Sequence, residues 1–231
     1  MAGLTSGGPN VDVGLLYEVN GLARHVPEGV DRAVGLLAEY GLPLALVLLV
    51  LWCWHGARNQ DEATAVESFA ALVWAPLAAA LALVVNVPLR EFVARPRPFV
   101  QHEGLDVFAL GQGQGAGFSF VSGHATLTMA LAVGVFLAHR RLGLIGIGLA
   151  LTEGLCRVYM GVHYPTDVIG GFALGTAAVL LLAPLAMALL TPVVRTVART
   201  PRLGRLVRAR ERVVPRPVEL AQRSAESDLA A

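Results

Sequence analysis

The chain has 231 residues, 55% of them hydrophobic and 15% charged, whereas an ordinary soluble domain carries about 25% charged residues. With a mean hydropathy of +0.61 and the charges gathered outside a few long apolar runs, a soluble globular enzyme is excluded and an integral membrane protein is expected. The net charge of +1 hides an asymmetry, because all 18 basic residues are arginine and eight of them fall between Arg195 and Arg216.

In chain order, residues 12–25 (DVGLLYEVNGLARH) have a weak helical pattern that suits an interfacial helix. The first 30 residues lack the basic start, apolar run and cleavage site of a signal peptide, so the spans are expected to direct insertion. Crossing the hydrocarbon core takes about 20 mostly apolar residues. Stretches at about 33–54, 66–89, 122–139, 142–160 and 167–190 meet or nearly meet that length. The expected fold is therefore all-α, a polytopic membrane bundle of about five transmembrane helices. Its parts are an N-terminal interfacial segment (1–32), a membrane-embedded domain (33–192) and a basic C-terminal tail (193–231).

Arg140 and Arg141 join the third and fourth spans, and the basic tail follows the fifth. Both are expected on the cytoplasmic side, which leaves 90–121 and 161–166 facing outward. Nucleic-acid binding by the tail is rejected, because no aromatic residue interleaves its arginines. Cys53 and Cys156 lie in apolar segments without metal-site spacing. The GQGQGAG stretch follows no strand and is not read as a nucleotide loop.

Arg90, Arg95, Arg97 and Arg157 stand on the outward side, against the positive-inside tendency. Anion binding supplies a reason, since guanidinium groups form bidentate hydrogen bonds with phosphate oxygens. Ser122, Gly123 and His124 open the third span, where a helix start offers N–H groups and a positive dipole end. His163 and Asp167 are spaced around Pro165 as in a first helical turn. A carboxylate there can hold one imidazole tautomer while the other nitrogen attacks phosphorus. His124 is the candidate general acid. Glu39 lies inside the first span, where a carboxylate is costly and is a functional candidate by default. Glu39 and Arg95 are both candidates for substrate contact. Gly170, Gly171 and Gly175 are read as close helix packing. His25, His55, His102 and His139 are read as loop or interface residues.

Taken in order, Arg-x6-Arg-Pro (Arg90 to Pro98), Ser-Gly-His (122–124) and Arg-x5-His-x3-Asp (Arg157 to Asp167) resemble the three-part signature of the type 2 phosphatidic acid phosphatase superfamily. The resemblance runs from about residue 33 to 190. It implies a helical core shared with vanadium haloperoxidases and a membrane lipid phosphatase activity. It also implies that His163 forms a phosphohistidine, Asp167 orients it and His124 protonates the leaving group. Arg90, Arg97, Ser122, Gly123 and Arg157 would cradle the phosphate, with no metal or other cofactor. Arg90 replaces the usual lysine, Val121 the usual proline and Cys156 the usual serine.

The first-span stretch LLAEYGLPLALVLLVLW, with RPRPFV and RVYMGVHYPTDVIGG, is similar to the bacitracin-resistance type of undecaprenyl pyrophosphate phosphatase. That likeness implies a lipid pyrophosphate substrate, an outward site and recycling of a cell-wall carrier lipid in a bacterial cytoplasmic membrane. Phosphatidate or phosphatidylglycerophosphate is the alternative substrate. A non-enzymatic lipid-binding or lipid-transporting protein is the alternative of another class. The sequence leaves the oligomeric state open.

Overall fold

A computed structural model describes residues 10–107, 117–200 and 204–207, and among these residues there is helix but no strand. Helix α1 (Val11–Gly21) and a short 3-10 turn (Leu22–His25) come first. The first span is α2 (Glu28–Leu36), a π turn (Leu37–Gly41) and α3 (Leu42–Ala57) in one line. It begins several residues before the expected start. Next come α4 (Glu62–Val93) and the short α5 (Pro98–Gln101). The bundle closes with α6 (Gly123–Ala138), α7 (Arg140–Tyr159), α8 (Pro165–Arg199) and a final turn, α9 (Gly204–Val207).

Four of the five expected spans are long and apolar enough to cross a membrane by themselves. The third, α6, has only 16 residues, about 24 Å of helix against a hydrocarbon core of about 30 Å. Its position explains how so short a helix serves. It packs against α3, α4, α7 and α8, and Ala125 to Val135 is buried almost throughout. Protein rather than lipid surrounds it. By contrast, Leu48, Trp52, Val84, Leu144, Leu181 and Leu185 point away from the bundle and are exposed. Side chains of that kind belong against lipid.

Close contact around α6 is bought with glycine. A Cβ on Gly171 would lie 2.7 Å from the Ser122 carbonyl oxygen, and one on Gly175 would lie 2.5 Å from that of Thr126. These two residues let α8 lie directly on α6.

Local chemistry sets the helix boundaries. Asp61 caps α4 by accepting from the Thr64 N–H at 3.0 Å, and Ser122 caps α6 through the Ala125 N–H. His139 alone separates α6 from α7, and its Nδ1 accepts from the Leu142 N–H at 3.3 Å. The π turn falls just before Pro43. Proline brings no N–H and its ring pushes aside the carbonyl four residues back, so the helix widens there.

Beyond the expected end of the last span, α8 runs on to Arg199 and carries Arg195 and Arg199. The middle of the outward segment 90–121, residues 108–116, and the tail beyond 207 lie outside the described residues. Helix α1 packs on α7 and α8. Buried Asn20 fixes it there by donating to the carbonyls of Asp106 and Tyr159, each at 2.8 Å. Three segments therefore meet at the α1 end of the bundle: 94–107, 117–123 and 160–166.

Candidate active site

Arg157 sits in the last turn of α7, where a helix dipole favours a cation, and it is fully buried. Its Nε donates to Glu153 Oε1 at 2.7 Å. Nη1 donates to Glu39 Oε2 at 3.0 Å and Nη2 to the Ala38 carbonyl at 3.0 Å. The π turn makes this possible, because it supplies both the Glu39 carboxylate and the Ala38 carbonyl. Two carboxylates flank one guanidinium, which offsets the cost of burying the charge. Glu39 also approaches His124, with Oε1 3.7 Å from Nε2.

His163 occupies the turn between α7 and α8. That turn needs Gly161 at φ +69°, a left-handed conformation that glycine adopts without strain. His163 Nδ1 lies 3.0 Å from the Ser119 carbonyl oxygen and 3.7 Å from Asp167 Oδ2. A carbonyl can only accept, so Nδ1 carries the proton and Nε2 keeps its lone pair. Burial holds His163 below the usual histidine range, Asp167 opposes this, and Arg97 and Arg157 reinforce it. The outcome is a neutral imidazole suited to nucleophilic attack.

Asp167 is fully buried. Its Oδ2 accepts from the Tyr164 N–H at 2.9 Å and its Oδ1 from Arg95 Nη1 at 2.9 Å. The orienting bond to His163 expected of Asp167 is thus made by the Ser119 carbonyl, with Asp167 just beyond it. Arg95 is taken up by protein groups. It donates to Asp167, to Thr166 Oγ1 at 2.7 Å and to Asp12 Oδ2 at 2.6 Å.

Arg97 Nη1 donates to the Val162 carbonyl at 3.3 Å, beside His163. Arg90 Nη2 donates to the Val121 carbonyl at 3.2 Å. Asn86 Nδ2 reaches the same oxygen at 3.3 Å. A Cβ on Gly123 would lie 3.4 Å from Arg90 Nη2, so the first turn of α6 adjoins that guanidinium. Arg97 feels the charges of Arg90, Arg157 and Asp167, while His124 feels Arg157, Glu39, His163 and Arg97. All ten residues singled out in the sequence therefore gather in one cluster. Among the described residues no three His, Cys, Asp or Glu side chains group as a metal site.

Glu153, Ser119, Asp12, Thr166 and Asn86 were missed by sequence reasoning. Glu153 carried a signal: it is a carboxylate within the span 142–160, four residues before Arg157, and the argument used for Glu39 applies to it equally. Ser119 contributes a carbonyl, which no residue type reveals. Asp12 and Thr166 gain their importance through contacts across the fold.

The PAP2 superfamily pattern matches residues 71–190, just over half of the chain and including all three motifs. The chain belongs to the PAP2 superfamily. Among its PAP2 relatives, undecaprenyl-diphosphatase BcrC of Bacillus subtilis (strain 168) is 26% identical over 66% of this chain and 72% of that one. Lipid A 1-phosphatase of Rhizobium etli is 34% identical over 70% of this chain and 73% of that one. The crystal structure of Aquifex aeolicus LpxE shares the fold with a TM-score of 0.55 at 22% identity, covering 75% of this chain and 95% of that chain. This is a multi-pass PAP2 membrane phosphatase whose relatives act on lipid phosphates.

Glu39 leads to one expectation. Glu39→Ala removes a charge-assisted bond that aims Arg157 at the phosphate site, while Glu153 still pairs the buried guanidinium. Phosphate release should fall about ten- to a hundredfold, with a much smaller loss of thermal stability. Unchanged kinetics in the purified variant would remove Glu39 from the site.

Proposed function

We propose that this PAP2 protein removes the terminal phosphate of undecaprenyl (polyprenyl) pyrophosphate at the outer face of a bacterial cytoplasmic membrane. In this reading the reaction recycles the carrier lipid of cell-wall synthesis and proceeds through a phosphohistidine. The observation that carries it is the convergence of a neutral, buried His163 with Arg97 and Arg157. The BcrC likeness supports the pyrophosphate.

His163 Nε2 attacks the terminal phosphorus in line, and the bond to the bridging oxygen breaks. His124 gives its proton to the departing oxygen of the lipid monophosphate. Arg90, Arg97 and Arg157, with the first-turn N–H groups at Ser122 and Gly123, stabilise charge on the transferring group. Water then cleaves the phosphorus–nitrogen bond, releasing phosphate and restoring the imidazole. Glu39 holds the Arg157 guanidinium in position and lies 3.7 Å from His124 Nε2, so its loss misplaces both groups at the phosphate site. The apolar faces between spans take the prenyl chain.

A second substrate of the same chemistry is a glycolipid monophosphate, which the Rhizobium likeness favours, or a glycerolipid monophosphate. The test is phosphate release in detergent with EDTA present, comparing undecaprenyl pyrophosphate, phosphatidate and phosphatidylglycerophosphate. The expected result is a preference for the pyrophosphate of about tenfold or more in kcat/KM. Preference for a glycerolipid would overturn the substrate. Lipid transfer without phosphate release would overturn the enzyme.

A further inference from the structure

One guanidinium holds two carboxylates that lie far apart in the sequence. Arg95 Nη1 donates to Asp167 Oδ1 at 2.9 Å, and Nη2 donates to Asp12 Oδ2 at 2.6 Å. We propose that Asp12, on α1, and Arg95 are positioning residues that together set the orientation of Asp167 and so the alignment of His163. Arg95 occupies a variable position inside the first motif, and Asp12 lies outside all three, on α1, which precedes the region matched by the superfamily pattern.

Helix capping ties α1 to the helix that carries Asp167. Tyr164 is the N-cap residue of α8 and makes no side-chain cap. First-turn N–H groups need an acceptor from elsewhere. Asp12 provides it: Oδ1 accepts from the Thr166 N–H at 3.0 Å, and Oδ2 accepts from the Thr166 hydroxyl at 2.6 Å. A residue of α1 thus caps the helix that carries Asp167.

Both groups facing His163 Nδ1 depend on Arg95. Its side chain holds Asp167. Its backbone carbonyl accepts from the Ser119 N–H at 2.8 Å and the Ser119 hydroxyl at 3.2 Å. Ser119 in turn presents the carbonyl that orients the imidazole. The guanidinium also stacks on Tyr164, 3.6 Å from the ring centroid, which fixes its plane.

Charge sets the direction of the effect. Around His163 stand Asp167 from α8, Arg97 from the segment before α5, Arg157 from α7 and His124 from α6. Asp12 from α1 acts through Arg95, and Arg95 shares the Asp167 carboxylate with His163. Burial would raise the Asp12 carboxyl, but bonds from Thr166 and Arg95 hold it below its ordinary value, so it stays anionic at neutral pH. Its charge satisfies part of Arg95 and leaves more of Asp167 to His163. Losing Asp12 draws Asp167 toward Arg95 and disfavours the imidazolium. Losing Arg95 frees Asp167 toward His163 and favours it.

This rests on His163 as the nucleophile. The experiment uses the full chain in detergent with undecaprenyl pyrophosphate, and reads kcat, KM and the pH profile of kcat/KM. Asp12→Asn keeps the shape of the side chain and removes its charge. It should lower kcat about tenfold with KM within about twofold, and move the acid limb down by about half a pH unit. Arg95→Met should move the limb up by a similar amount. If Arg95→Met does not fold, Asp12→Asn decides alone. A limb that stays in place, or a change confined to KM, overturns the proposal. Repeating the profiles with phosphatidate separates it from the choice of substrate, because the shift belongs to the enzyme. Turnover by His163→Ala would remove the underlying assignment instead.

Discussion

His163→Ala is expected to release no measurable phosphate while keeping the fold of the parent chain. The imidazole is surrounded by fixed groups, and no other described residue has a nucleophilic nitrogen held by Ser119 and Asp167. Without it the covalent route is closed, a loss of at least about a thousandfold. His124→Ala removes the proton donor and should cost about a hundred- to ten-thousandfold. Both are read by phosphate release from purified protein, with thermal unfolding as the control for folding. The alanine at 124 leaves no buried charge alone, because Glu39 keeps Arg157. Robust turnover by either folded variant would contradict the mechanism.

The second large effect concerns Arg157, where stability and catalysis can be separated. Glu153 and Arg157 are both fully buried, and Glu153 Oε2 has no hydrogen-bond partner among the described residues. Arg157→Met therefore strands a carboxylate in the bundle, which costs about 3–5 kcal/mol. A clear fall in melting temperature is expected together with loss of activity. Adding Glu153→Gln removes the stranded charge and should restore most of the lost stability. Activity should stay absent, because the phosphate still lacks its guanidinium. Recovery of turnover in the double variant would make Arg157 a structural residue only.

These cases mark what a sequence discloses here. The apolar runs predict the bundle because lipid demands long uninterrupted helices. Even so, α6 is shorter than a span, since burial by α3, α4, α7 and α8 relaxes that demand. Glu39 was legible by rarity alone, a carboxylate among leucines. Glu153 had the same rarity and went unread beside a stronger motif. Arg95 was visible as an outward arginine but not its occupation by Asp12 and Asp167, which requires α1 to fold back on α8. The π turn before Pro43, which delivers Glu39 to Arg157, depends on backbone geometry that residue identities only hint at. Motifs thus place the reacting groups, while the groups that aim them come from distant parts of the fold.

The measurement that tests the central claim most directly is capture of the covalent intermediate. Wild-type protein would be mixed with undecaprenyl pyrophosphate labelled in its terminal phosphate and quenched in alkali within the first turnover. Peptides would then be mapped for label. The account predicts base-stable, acid-labile phosphate on the peptide that contains His163, and none in His163→Ala. Phosphate released at the normal rate with no label on His163, or with label on another residue, would contradict it.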